Sequence, residues 1–278
     1  MSFKSKILVT GDLITKTPLH IGSSENTFLT DMPVIVDGEG NPYIPATSLA
    51  GVFRSYLLDM TGDEDLVGTF MGIEKKDKLN IKSHLIIDDA YLKDKSIISE
   101  IRPHNGIMRD TQTAAKNVLY NEQIIPAGTK FDFSMELNIP GDHEDKFKTL
   151  LKLLLLELEK GNIIILGGHT TRGLGRIKVD KDNRKVHEYV LKKNENLKEY
   201  LDKKDKTVEW RKWKDAIDIK SSNYIYMSFK CKIDSEFIVS SGDEDLEADI
   251  DIVPMESIKD GKPVPFFIAW SEYPGGDI

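Results

Sequence analysis

The chain has 278 residues, 40% hydrophobic and 30% charged, with a net charge of −8 and one cysteine, Cys231; that length suits one large domain or two small ones. A single cysteine excludes a disulfide framework and a cysteine-rich zinc site, and it suits a reducing compartment. The longest apolar run, Phe266 to Trp270, is far too short to span a membrane, and Met1 to Lys6 holds no apolar signal region, so a cytoplasmic protein without a membrane partner is expected.

Residues 4–14 read as a strand. The connection 15–46 is long for a compact domain, and ordered loops of that length are usually functional. It carries Leu19-His20-Ile21-Gly22-Ser23-Ser24 and then Asp31-Met32-Pro33-Val34. A loop carboxylate such as Asp31 suits a divalent ion or the orienting of a hydroxyl; two residues before a proline it also suits a plain turn. Tyr43-Ile44-Pro45 leads into a helix over 47–60, with Leu49, Val52, Phe53, Tyr56 and Leu57 on one apolar face. Thr47 or Ser48 is expected to cap it. Hydroxyls and free N–H groups there, with Arg54 near the first turns, form an anion site; a merely capped amphipathic helix is the alternative.

Residues 83–92 read as the next strand, and 93–127 as a second long excursion. Ile107 and Met108 lie near its tip, beside the base Arg109. Such a tip suits a wedge between bases, or else a surface hairpin on its own small core. Phe131, Phe133, Met135 and Leu137 alternate as in a half-buried strand. A helix starts at Asp142, aligns Phe147, Leu150, Leu151, Leu154 and Leu158, and ends at Gly161. Ile163 to Leu166 reads as a buried strand and 176–180 as another.

Gly167-Gly168-His169-Thr170-Thr171-Arg172-Gly173-Leu174-Gly175-Arg176 joins those two strands. Glycines admit a phosphate close to backbone N–H groups, Thr170 and Thr171 add hydroxyls, and Arg172 and Arg176 add charge. No Gly-Lys-Ser/Thr and no following helix are present, so this is neither a P-loop nor a dinucleotide fingerprint. A glycine-rich β-turn is the other reading. The six histidines show no zinc spacing. His169 is the better candidate for nucleic-acid contact, and His20 reads as structural.

The first elements run βαββαβ, which is an α+β, ferredoxin-like order. Residues 181–223 turn rich in Lys and Glu and read as a charged helix or linker. Met227 to Ile233 then repeats Met1 to Ile7 at six of seven positions, and Asp260 to Pro265 echoes Glu39 to Pro45. Three parts are therefore expected: a domain at 1–180, a charged segment at 181–223 and a partial second copy at 224–278. Seven acids and no base lie between Gly242 and Glu256, so nearly all of the net charge sits in one stretch and a basic groove elsewhere is compatible with it.

Taken together, the two glycine blocks, Asp31 to Val34, Tyr43 to Arg54, Phe70-Met71-Gly72, Ile107 to Ala115 and Glu122 to Gly128 resemble, in order and separation, the RAMP superfamily of CRISPR-associated proteins. The likeness is to the backbone subunits of type III effector complexes and covers about residues 4–180. It implies a ferredoxin-like, RRM-like core with a long inserted thumb and loops, followed here by a partial second RAMP-like unit. It also implies filament assembly with other RAMP and CRISPR effector subunits on a guide RNA, and pairing of that guide with a complementary target RNA. By this resemblance RNA is held by His20, Gly22, Ser23, Thr47, Ser48, Arg54, Arg109 and the loop Gly167, Gly168, His169, Thr170, Thr171, Arg172 and Gly173. Ile107 and Met108 are the thumb residues. In members that cut target RNA, the residue matched by Asp31 is catalytic and works with Mg²⁺ or Mn²⁺, as base, orienting group or metal ligand.

The sequence departs from the family pattern at Ala50, where a lysine is usual, and in its acidic balance. The second copy has no equivalent of Thr47 to Arg54, and Asp249 and Asp251 are the nearest counterparts of Asp31. Other functions compatible with the chain are a binding-only RAMP scaffold, a guide-processing endoribonuclease using His20 or His104, and a ferredoxin-like small-molecule enzyme.

Overall fold

Strict apolar alternation builds the centre of the molecule. The computed structural model describes residues 3–23, 30–73, 81–111, 113–191, 194–217, 219, 253–259 and 262–268. In chain order they form β1 (Ser5–Thr15), β2 (Tyr43–Ile44), α1 (Ala46–Thr61), α2 (Glu64–Met71), β3 (Leu85–Ile87), β4 (Ala90–Leu92), β5 (Glu100–Ile107), β6 (Ala114–Ile124), β7 (Lys130–Ile139), α3 (Glu144–Lys160), β8 (Ile177–Val179), β9 (Lys185–Val190), α4 (Asn194–Leu201), β10 (Val253–Lys259) and β11 (Lys262–Ile268). The chain divides into two units, Met1–Ile225 and Tyr226–Ile278.

In the first unit β7 pairs antiparallel with β1 along their length, from Ser5↔Ile139 to Ile14↔Lys130. The sheet runs β2-β4-β7-β1-β8, with β3 also on β7 and β9 also on β1. Counting β3 and β4 as one interrupted strand, the order is fourth-first-third-second, the ferredoxin-like arrangement. Phe131, Phe133, Met135 and Leu137 of β7 are buried as the alternation requires. Phe53 of α1 meets Phe133 edge-on at 6.5 Å, and Phe70 of α2 meets Phe147 of α3 at 5.2 Å. Each such buried side chain contributes about 1.5–3 kcal/mol of transfer free energy.

Four local expectations change. First, the strand expected over 83–92 breaks at Asp88 and Asp89, because Asp89 Oδ1 turns to accept the Ala46 N–H at 2.7 Å. Second, that carboxylate serves the N-terminus of α1; the flanking Pro45 has no cap of its own, and Thr47 and Ser48 lie inside the first turn rather than capping it. Third, Ile163 to Leu166 makes only an isolated bridge, Ile165 to Arg176. Glu157, buried in α3, takes the N–H groups of Asn162, Ile163 and Ile164, while Leu166 donates to Gly175. These amides are therefore not available for a ladder, and β8 is the sheet's fourth strand.

Fourth, residues 185–190, read above within a charged helix or linker, form β9 on β1 from Ser5↔Val190 to Thr10↔Lys185. Val186 and Tyr189 are buried there. Further on, Trp210 is buried between the guanidinium groups of Arg184 and Arg211, 4.9 and 5.1 Å from its ring centre. Both arginines pair with buried Glu159 of α3. Six residues of strand among flanking charges are too few for periodicity to reveal.

In the second unit β10 and β11 pair antiparallel, from Val253↔Ile268 to Lys259↔Lys262. Met227 to Ile233, Asp249 and Asp251 of the expected second copy lie outside the described residues.

Candidate nucleic-acid interface

The excursion at 93–127 is a two-stranded thumb. β5 and β6 pair from Glu100↔Ile124 outward, with an irregularity between Asn105 and Ile107. At its tip Met108 donates to Thr113 O at 2.9 Å, and Met108 and Arg109 are exposed. Only the backbone of Ile107 is among the described features. Val118 and Leu119 are exposed along the same strand pair.

The root of β6 gathers groups from distant parts of the chain. Tyr120 accepts a hydrogen bond from Arg172 Nη1 at 3.0 Å, and this contact raises the guanidinium further above its ordinary pKa. Asn121 N–H donates to Asp31 Oδ2 at 2.9 Å. Glu122, 2% exposed in its side chain, lies 2.7 Å from His169 Nδ1, 3.0 Å from His104 Nε2 and 3.7 Å from His20 Nδ1. The two shorter contacts are at ion-pair distance, but their angles are not those of hydrogen bonds. His20 Nδ1 instead has Gln123 O at 2.7 Å. The His20 and His169 rings stack at 5.7 Å, and those of His104 and Tyr120 at 5.2 Å.

The loop carrying Asp31 is sewn to that root. Thr30 Oγ1 and Met32 N both donate to Asn121 O, at 2.7 and 3.1 Å, and Gln123 N donates to Met32 O at 2.9 Å. Bridges Gly22–Val34 and Val36–Pro42, with Ser23 N donating to Pro33 O, join further described parts of the long connection. Asp31 stays exposed. Ser24 lies outside the described residues.

The glycine loop departs from its expected use. Gly168 N donates to His20 O and Gly175 N to Pro18 O, both at 2.8 Å, while Arg172 N and Gly173 N donate to His169 O and Thr170 O. These four amides bind the protein's own carbonyls and are not free to meet a phosphate. Gly167 (φ +85°) and Gly175 (φ +89°) are needed for the same reason: a Cβ would stand 2.1 Å from His20 O or 2.0 Å from Leu166 O. What the loop offers outward is Thr171, Arg172 and Gly173, all exposed, with Thr170 and His169 half-buried beside them.

The first motif also differs from expectation. Arg54 donates through Nη2 to Met71 O and Gly72 O, each at 2.9 Å, and so caps the end of α2. Asp89 already sits at the Ala46 amide, so the α1 N-terminus is not a vacant anion site; Thr47 is exposed and Ser48 half-buried. Tertiary structure thus joins His20, Asp31, His169 and Arg172 at one strand, and it places Thr47, Ser48 and Arg54 around α1 and Arg109 at the thumb tip. Glu122, Gln123, Tyr120 and Asn121 received no role from the residue pattern. A glutamate in a strand with a buried neighbour at Ile124 was the available signal.

Among the described residues no cluster of three or more His, Cys, Asp or Glu is arranged to hold a metal ion. Asp31 is an exposed loop carboxylate, an oxygen donor of the hard type that Mg²⁺ accepts. No described helix is long and apolar enough to cross a membrane.

Comparison with known proteins agrees with this geometry. A family model described as "RAMP superfamily" matches residues 12–178. A "CRISPR system Cms endoribonuclease Csm3" of Methanocaldococcus jannaschii is 31% identical over 202 residues, 64% of this chain and 80% of that protein. Proteins of the same name from Streptococcus thermophilus and Methanothermobacter thermautotrophicus are 29% and 27% identical, over 64% of this chain and 88% and 84% of theirs. With more than half of its length matched by the family model, and a core sheet, thumb and glycine loop to correspond, the chain belongs to the RAMP superfamily.

Proposed function

We propose that this chain is a guide-RNA-binding backbone subunit of a type III CRISPR effector complex, and that Asp31 takes part in cutting the complementary target RNA. The observation that carries this reading is the convergence on β6: Tyr120 to Gln123 bring Arg172, Asp31, His169, His104 and His20 to the root of a protruding thumb. Exposed Arg172, with Thr171 beside it, suits phosphates of the guide backbone. Met108 at the thumb tip suits the separation of bases. The similar proteins being named CRISPR endoribonucleases supports the same activity. Other RAMP and effector subunits are its proposed partners.

In the cleavage step the target's 2′-oxygen forms a bond to the adjacent phosphorus, and the P–O5′ bond breaks. The 2′-hydroxyl loses its proton and the leaving 5′-oxygen gains one. Asp31 orients that hydroxyl or accepts its proton. A divalent ion, Mg²⁺ or Mn²⁺, would be held by Asp31 with RNA phosphate and would supply charge stabilisation. The test is target cleavage by the reconstituted guide complex, wild type against Asp31→Ala, with and without Mg²⁺. Loss of cleavage with target binding retained is expected. Unchanged cleavage would move the chemistry to another subunit and leave this chain as a binding scaffold.

A further inference from the structure

The hydrogen bonds around Asp31 single out a residue outside its own loop. Gln123 Oε1 accepts the Val34 N–H at 3.1 Å, while its Nε2 donates to Ser99 Oγ at the base of the thumb. Its main chain does more: N–H donates to Met32 O at 2.9 Å, and O lies 2.7 Å from His20 Nδ1. One residue thus ties β6, the thumb base, His20 and both sides of Pro33 together. Its side chain is half-buried, whereas Val34 is 2% exposed. With Gln123 replaced by an apolar residue, the Val34 amide loses its acceptor in a place poor in water.

The Asp31 carboxylate accepts the Asn121 N–H at 2.9 Å, Thr30 Oγ1 and Met32 N donate to Asn121 O, and Gln123 N donates to Met32 O. These bonds tie the carboxylate to the thumb strand. A thumb that parts the guide–target duplex would then carry the carboxylate to the nucleotide it exposes.

We propose that Gln123 is a positioning residue for Asp31, holding the 31–34 loop at the thumb root so that the carboxylate meets the displaced target nucleotide. The inference rests on the reading of Asp31 as the cleaving residue. It does not require Gln123 to touch RNA.

The experiment compares wild type, Asp31→Ala, Gln123→Met and Gln123→Glu in the reconstituted guide complex, under single-turnover conditions across target concentrations. Methionine keeps the unbranched shape and loses both polar arms; glutamate keeps the acceptor for Val34. The Gln123→Met variant is expected to cut about 10- to 100-fold more slowly at saturating target, the scale of an ångström-sized misplacement, with half-saturation unchanged. Gln123→Glu should recover most of that rate. Wild-type cutting by Gln123→Met, where Asp31→Ala is inactive, would overturn the positioning role. So would equal slowing by both Gln123 variants with weakened target binding, since that marks a general structural role. Active Asp31→Ala would instead overturn the proposed function, and this inference with it. Should Gln123→Met fail to assemble on guide RNA, Ser99→Ala provides the second arm. It releases the amide nitrogen, and a slowing of about threefold is expected, as for one lost neutral hydrogen bond; an unchanged rate would overturn the role.

Discussion

The sheet with its helices and the layer at the thumb root are held together by different forces. In the former, Phe53, Phe133, Phe70 and Phe147 are buried in a core of many apolar contacts behind the β1–β7 ladder. In the latter, a few hydrogen bonds and one buried carboxylate fix His20, Asp31, His104 and His169. Dispersion contacts are individually weak and redundant. A directed hydrogen bond has one partner, so its loss displaces a particular atom. The body should therefore answer to substitution through stability, and the thumb root through RNA binding and cleavage.

Phe147→Ala gives the largest expected effect and tests the first half of that contrast. The ring is fully buried against Phe70, and its loss should cost about 3–5 kcal/mol, measured by denaturant unfolding. Guide affinity per folded molecule should stay at the wild-type level; a fall in that affinity would break the contrast.

Gly167→Ala should act in the opposite sense. The new Cβ meets His20 O at 2.1 Å and the backbone sits at φ +85°, a strain of about 1–3 kcal/mol. Because the carbonyl it strikes belongs to the first glycine motif, guide affinity measured by filter binding should fall about tenfold, equal to about 1.4 kcal/mol. The unfolding midpoint should move less than in Phe147→Ala. A stability loss as large as that variant's, with affinity intact, would mean that the loop belongs to the body.

Arg172→Ala is the mildest. The guanidinium is exposed and, among the described residues, hydrogen-bonds Tyr120, so unfolding should shift by less than about 0.5 kcal/mol. The salt dependence of guide binding should flatten by about one unit of log–log slope, because one phosphate contact is lost. An unaltered slope would remove Arg172 from the interface.

How far the sequence could be read follows the same division. Helix α3, strand β7 and the end at Gly161 were legible because each repeats its period over a dozen residues or so. Strand β9 was hidden by its six-residue length and its charged neighbours. The glycine block was found, and part of it serves the protein's own backbone. The pattern announces close backbone approach, and only the fold shows that the approaching backbone is that of Pro18 and His20. Arg54 looked like a free cation near a helix start, and it caps α2 instead. The partners of Asp89 and Glu122 could not be read, because a carboxylate's partner across 43 residues, or a histidine's across 47, leaves no trace in spacing.

The amino-acid sequence by itself determined the βαββαβ order, the family resemblance and the prominence of Asp31, since periodicity and motif order are properties of the chain read locally. Only the tertiary structure decided that His20, Asp31, His169 and Arg172 meet on Tyr120 to Gln123. Those meetings come from strand pairing and loop closure between segments 47 to 103 residues apart. They are fixed by hydrogen-bond satisfaction in the folded state rather than by any neighbour along the chain.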